Sequence, residues 1–230
     1  MPLIAQIYIY GMVSAAAITV ALSATNLQLD NPVRLAAYLA LTAVASTLKI
    51  RLPQMVSSIT PGFLFVLLAV ADFPLAETSL VSMVAGLVQT LWKPRRKPKA
   101  IQVAFNAATI VVCAAAAHAT AQSMLPGADP TQGLGRLVVA LVTLFFLNVS
   151  AVSLVLCLIE GKPLSSIFRS VNYWAFPYYI AGTVIAVLFQ YTVPFGGWAL
   201  AQQLPAVYLV HLYFSESISR SQRERVQAHN

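Results

Sequence analysis

The groups in this sequence that could do chemistry are neutral amides, imidazoles and phenols set inside long apolar runs. The sharpest are Gln89, Gln102, Asn106, Asn148 and His211. Gln102 and Asn106 stand four apart, so on a helix they share a face. An amide left without a partner in hydrocarbon is costly, so each of these side chains should turn toward the interior of a bundle. Counting at about 1.5 Å per residue from the nearest charged loop sets Gln89, Gln102, Asn106 and His211 in the inner half of a membrane, with Asn148 near its middle. Either such groups tie neighbouring helices together, which is their commoner use, or they line a pocket for a neutral or weakly polar ligand. The expectation here is that the first four converge on one ligand-binding pocket. Dispersal into separate pairs would make them packing groups and favour a structural subunit.

Other chemistry is excluded more readily. There is no H-E-x-x-H, no G-x-S-x-G and no Walker loop. Asp72, Glu77 and Glu160 fall at the ends of apolar runs, whereas proton relays and ion-coupled transport place a carboxylate deep in the bundle. Cys113 and Cys157 lie inside apolar runs and read as small buried thiols. No catalytic residue, cofactor or metal is expected, and the chain is not expected to be an enzyme.

These residues sit in a chain that is 59% hydrophobic and 9% charged. Soluble domains run near 25% charged, so a sizeable soluble catalytic domain is excluded. Eight apolar stretches can be marked: about Ala5–Ala24, Pro32–Thr47, Val56–Phe73, Leu75–Trp92, Ile101–Leu125, Leu137–Ile159, Trp174–Val193 and Trp198–Phe214. The expected fold is an all-α polytopic membrane bundle of about eight spans, residues 1–214. The third and fourth stretches, joined at Pro74, fit two crossings or a re-entrant hairpin. The first stretch lacks the basic flank of a cleaved signal and reads as a retained span.

The net charge of +7 would suggest nucleic acid in a soluble protein. Here the basic residues fall between apolar runs. If eight spans alternate from a cytoplasmic N-terminus, twelve of the fourteen Lys and Arg lie inside, and only Arg34 and Arg136 outside. Both termini are then cytoplasmic. The run Lys93, Arg95, Arg96, Lys97 and Lys99 is a topology signal with a second role in holding anionic lipid head groups. Gly161–Asn172 has apolar residues at 164, 167, 168 and 171 and reads as a short interfacial amphipathic helix. Residues 215–230 form a polar tail without Gly or Pro, either a helix continuing from the last span to about Val226 or a frayed end.

One stretch resembles a known family. Ser46-Thr47-Leu48-Lys49-Ile50-Arg51-Leu52-Pro53, Pro61-Gly62-Phe63-Leu64-Phe65-Val66-Leu67-Leu68, Leu75-Ala76-Glu77-Thr78, Val88-Gln89-Thr90-Leu91-Trp92-Lys93 and Gln102-Val103-Ala104-Phe105-Asn106 follow one another in order. Together they resemble the multi-span membrane region that precedes cytoplasmic GGDEF or HD-GYP domains in bacterial signalling proteins. A fainter similarity is to the substrate-binding membrane subunits of vitamin-uptake transporters. In the signalling family the last span continues into a linker and a catalytic domain, and no cyclase or phosphodiesterase motif follows here. The resemblance implies a bacterial inner-membrane module that senses or binds a small molecule without turning it over. The alternatives are a transport component and a structural subunit of a larger membrane complex. The partners implied are the lipid bilayer, a cytoplasmic signalling protein or an ATPase, and a second copy in a homo-oligomer. Nucleic acid is not among them.

Overall fold

The computed structural model describes residues 1–25, 27, 31–51, 58–94, 97–125, 133–192 and 198–227. These residues form α1 (Leu3–Ala24), α2 (Pro32–Thr47), β1 (Ile50–Arg51), β2 (Ser58–Ile59), α3 (Gly62–Asp72), α4 (Leu75–Leu91), α5 (Ala100–Met124), α6 (Gly133–Glu160), α7 (Leu164–Thr192) and α8 (Trp198–Gln227). The architecture is all-helical apart from one antiparallel two-stranded ribbon, in which Ile50 pairs with Ile59 and Arg51 with Ser58.

A hydrocarbon core about 30 Å thick asks for about 20 apolar residues in a helix. Three helices, α1, α5 and α6, meet that requirement, and α7 makes a fourth if its two limbs count as one span. At 16, 11 and 17 residues, α2, α3 and α4 are apolar but short. Helix lengths therefore support three or four crossings rather than eight. The outer face of α1 agrees with lipid contact, for Leu3, Ile4, Ile7, Ile18 and Leu22 are all exposed while Ala5, Ile9 and Ala16 face inward.

α3 sits at the centre. Eight of its eleven residues are buried, from Gly62 and Leu64 to Val70. A short helix that is apolar all round needs neighbours on every side, and α3 packs against α2, α4, α5, α6 and α7. Named contacts give the directions. Ser46 lies against Gly62 and Tyr38 reaches Asp72, so α2 and α3 are antiparallel. Thr78 bonds the Ala69 carbonyl and Gln89 bonds the Ser58 carbonyl, so α4 returns beside α3. Asn106 bonds Thr90 and Gly86 meets Ala107, so α5 runs back along α4.

Two sequence expectations change, and a third, the helical tail, agrees. The third stretch does not start as a helix at Val56, because Ser58 and Ile59 are paired as a strand and the helix begins at Gly62 after Pro61. Proline suits a helix start because its missing N–H costs no bond there. The amphipathic segment after Gly161 is not a separate helix but the first limb of α7. Limbs Leu164–Tyr173 and Ala175–Leu188 meet at 41°. Pro177 lacks the N–H that would bond the Tyr173 carbonyl, and its ring crowds that carbonyl, so the helix bends there. Ile167 and Val171 are buried on that limb as the spacing requires. Finally, α8 runs through Ser215–Ser217 to Gln227, and Ile218 packs onto Ile50 and Tyr178. The first turn of the polar tail is thus held against the ribbon.

Candidate functional site

The inner-half amides do not share partners. Gln89 donates to the Ser58 carbonyl at 2.8 Å and accepts from Thr60, tying α4 to the lead-in of α3. Gln102 is exposed, and its carbonyl oxygen accepts the Lys99 N–H at 2.9 Å, capping the start of α5. Asn106 is also exposed and donates to the Thr90 hydroxyl at 3.0 Å across the α4–α5 contact. His211 stacks near Tyr208, and its Nδ1 is buried with no partner among the described residues. α8 packs chiefly on α7 and β1. The geometry directs these groups to separate local tasks. The expected four-residue pocket is not assembled, because capping and interhelical bonding engage three of its members first.

Asn148 has a different setting. Its amide donates to the Tyr179 hydroxyl at 3.1 Å. Tyr179 stacks on Phe63 at 4.1 Å between ring centroids, Phe63 lies 5.6 Å from Tyr178, and Tyr178 meets Phe214 edge-on at 5.3 Å. This chain of rings joins α6, α7, α3 and α8 in sequence. Gly182 makes it possible, since a Cβ there would strike the Phe63 ring. A small apolar cavity adjoins it, walled by Phe63, Leu64, Tyr178, Ile185, Val207 and Val210. Tyr178 is 1% exposed and its hydroxyl has no partner among the described residues. A buried hydroxyl left unbonded costs about 1–3 kcal/mol, so a ligand or water that bonded it would be favoured. Tyr178 also touches Ile50 and Ile218, so whatever fills the cavity borders the ribbon and the tail.

At the opposite end of α3 lies a charged cluster that sequence reasoning missed. Arg34 bonds Asp72 at 2.7 Å, and the Tyr38 hydroxyl donates to the same carboxylate oxygen. The Arg34 guanidinium also sits 5.1 Å from the centre of the Phe73 ring. The available signal was Arg34, the arginine at the start of α2, alongside the carboxylates at the α3–α4 tip. Glu77 is one turn away and behaves differently. The sequence placed it at a span end, yet it is 2% exposed and neither carboxylate oxygen has a partner among the described residues.

Of the basic residues assigned to lipid head groups, Lys93, Lys97 and Lys99 are exposed. Arg95 and Arg96 lie outside the described residues. Lys93 adopts φ 37° and holds its ammonium 5.7 Å from the Trp92 ring centre. Lys49 bonds the Trp92 carbonyl, which pins the loop to the end of α2. Among the described residues no group of three His, Cys, Asp or Glu side chains could hold a metal ion. Compared with protein-family models, curated proteins and solved structures, the chain matches none.

Proposed function

We propose that the chain is a membrane-embedded sensory or small-molecule-binding module with no catalytic activity of its own. The observation that carries this reading is Tyr178. Tyr178 is one of the residues walling the α3–α7–α8 cavity, its buried hydroxyl has no partner among the described residues, and it packs in one cluster with Ile50 of the ribbon and Ile218 of the tail. The cavity as it stands has room for about one water, so a small, largely apolar ligand with one hydrogen-bond acceptor would have to part α7 and α8 to enter it and bond Tyr178. Occupancy would change how α8 packs, and the helix to Gln227 would carry that change out of the bundle. The resemblance to membrane regions of bacterial signalling proteins supports the same reading. It sets the protein in a bacterial inner membrane with a cytoplasmic signalling partner. Purification from native membranes after mild crosslinking is the test. The expected partner is a cytoplasmic kinase, cyclase or phosphodiesterase. An ATPase partner would make the chain a transport component instead.

One observation favours a second reading, a structural subunit of a larger membrane complex. Gln89, Gln102 and Asn106 are each engaged by a local bond. Packing groups used in this way require no ligand. Recovery in a stable respiratory or photosynthetic complex would select it.

The proposed topology counts α2 and α8 as crossings beside α1, α5, α6 and α7, with α3 and α4 as a half-depth pair and both termini cytoplasmic. Twelve of fourteen Lys and Arg then face the cytoplasm, and the Lys93–Lys99 loop meets anionic head groups. In a chain whose two native cysteines are replaced, Pro130→Cys should react with an impermeant thiol reagent added outside and Arg96→Cys should not. The reverse pattern refutes the orientation.

A further inference from the structure

Glu77 stands third in α4, where a glutamate commonly bonds back to the N–H of the residue preceding the helix. That residue is Pro74, which has no N–H to give. The side chain is 2% exposed, and both of its oxygens lack a partner among the described residues. The helices packed on α4 are α1, α2, α3 and α5. Their charged and titratable groups near this level are Arg34 and Tyr38 on α2, Asp72 on α3 and His118 on α5. α1 carries no charged residue. Arg34 and Tyr38 are already engaged with Asp72, and His118 makes no bond to either Glu77 oxygen. On α2, the Thr42 hydroxyl is a further buried oxygen without a partner. An ionised carboxylate in such surroundings has no countercharge, and burying one uncompensated is too costly to persist.

We propose that Glu77 binds a sodium ion, taken up from the end of the bundle that carries Arg34 and Asp72. Asp72 is the partly exposed acid at that rim, with its side chain 17% accessible, and Glu77 follows it in the first turn of α4. The bound cation supplies the charge that no side chain provides, and the free N–H groups of the first turn of α4 favour the carboxylate beside them. The site is separate from the Tyr178 cavity at the other end of α3, so either assignment stands if the other fails.

One measurement on the purified full-length protein in detergent decides it: the thermal unfolding midpoint in sodium chloride against choline chloride at fixed pH and ionic strength. A bound sodium ion raises the midpoint by about 3 °C for each tenfold increase in sodium above half-saturation. Glu77→Gln abolishes that slope. If Glu77→Gln does not fold, Glu77→Asp, which keeps the acid but shortens its reach, weakens the sodium response. Absence of a sodium response overturns the proposal. So does its survival, unchanged, in the Glu77 variants.

Discussion

Gly86→Leu is expected to leave little folded protein, and Gly86→Ala to lower stability by about 1–3 kcal/mol. A Cβ at Gly86 would stand 2.6 Å from the Ala107 Cα and 3.1 Å from the Ala107 nitrogen and the Asn106 carbonyl oxygen. All three are backbone atoms, so no rotamer change relieves the contact and α4 must move off α5. These two helices form the most extensive pair in the molecule. In a membrane, close backbone approach at a small residue supplies the packing that a hydrophobic effect between helices does not. Separation would also stretch the Asn106–Thr90 bond. Gly11→Ala is the control. A Cβ there meets nothing within 4 Å, so the substitution should gain up to about 1 kcal/mol of helix propensity. Unfolding midpoints in detergent, followed by circular dichroism, should move in opposite directions for the two alanine variants. A shared upward shift would mean that α4 and α5 are not in close contact at Gly86.

What the sequence disclosed followed local rules. α2 has the bounds expected of it, Pro32–Thr47, because Asn31 caps it by accepting the Arg34 N–H and Pro32 suits the first turn. The amphipathic spacing after Gly161 marked a helix, but its apolar face was expected at the membrane interface, whereas Ile167 and Val171 are buried against the bundle and Leu164 is exposed. Hydropathy could not separate a crossing from a buried core helix, and α3 is the example. Its run Phe63–Val70 is as apolar as any span, but it is apolar because protein surrounds it. The site was less legible still. Depth along a helix gave Gln89, Gln102 and Asn106 a common level but not a common partner. Gln102 occupies a capping position readable from its place three residues after Lys99, and that local bond outranked the pocket. The Asn148–Tyr179 bond and the Tyr178 junction depend on which helices meet, and no periodicity within one segment encodes that.

The same holds for Arg34, Tyr38 and Asp72, which are far apart in sequence and converge in space. Asp72→Ala is expected to cost about 2–3 kcal/mol, a value reduced from that of a fully buried pair because the Arg34 side chain is 39% accessible. The loss has two parts. Arg34 loses its only anionic partner among the described residues, and water takes up part of that charge. Tyr38 is fully buried, so its hydroxyl loses its bond with no water to replace it. Tyr38→Phe removes only the second part and should cost about 1 kcal/mol. Combining the two substitutions should cost less than the sum of the single effects, because once Asp72 is gone the hydroxyl has nothing left to lose. Asp72→Asn keeps an acceptor for Tyr38 but not the charge for Arg34, and should fall between wild type and Asp72→Ala. Salt distinguishes the parts. Raising the ionic strength should narrow the gap between wild type and Asp72→Asn, since it screens the half-exposed ion pair, and leave the Tyr38→Phe deficit unchanged. Strict additivity in the double variant would show that Tyr38 and Asp72 act independently, and the contribution of Tyr38 to the tie between α2 and the end of α3 would then rest on its ring contact with Phe73.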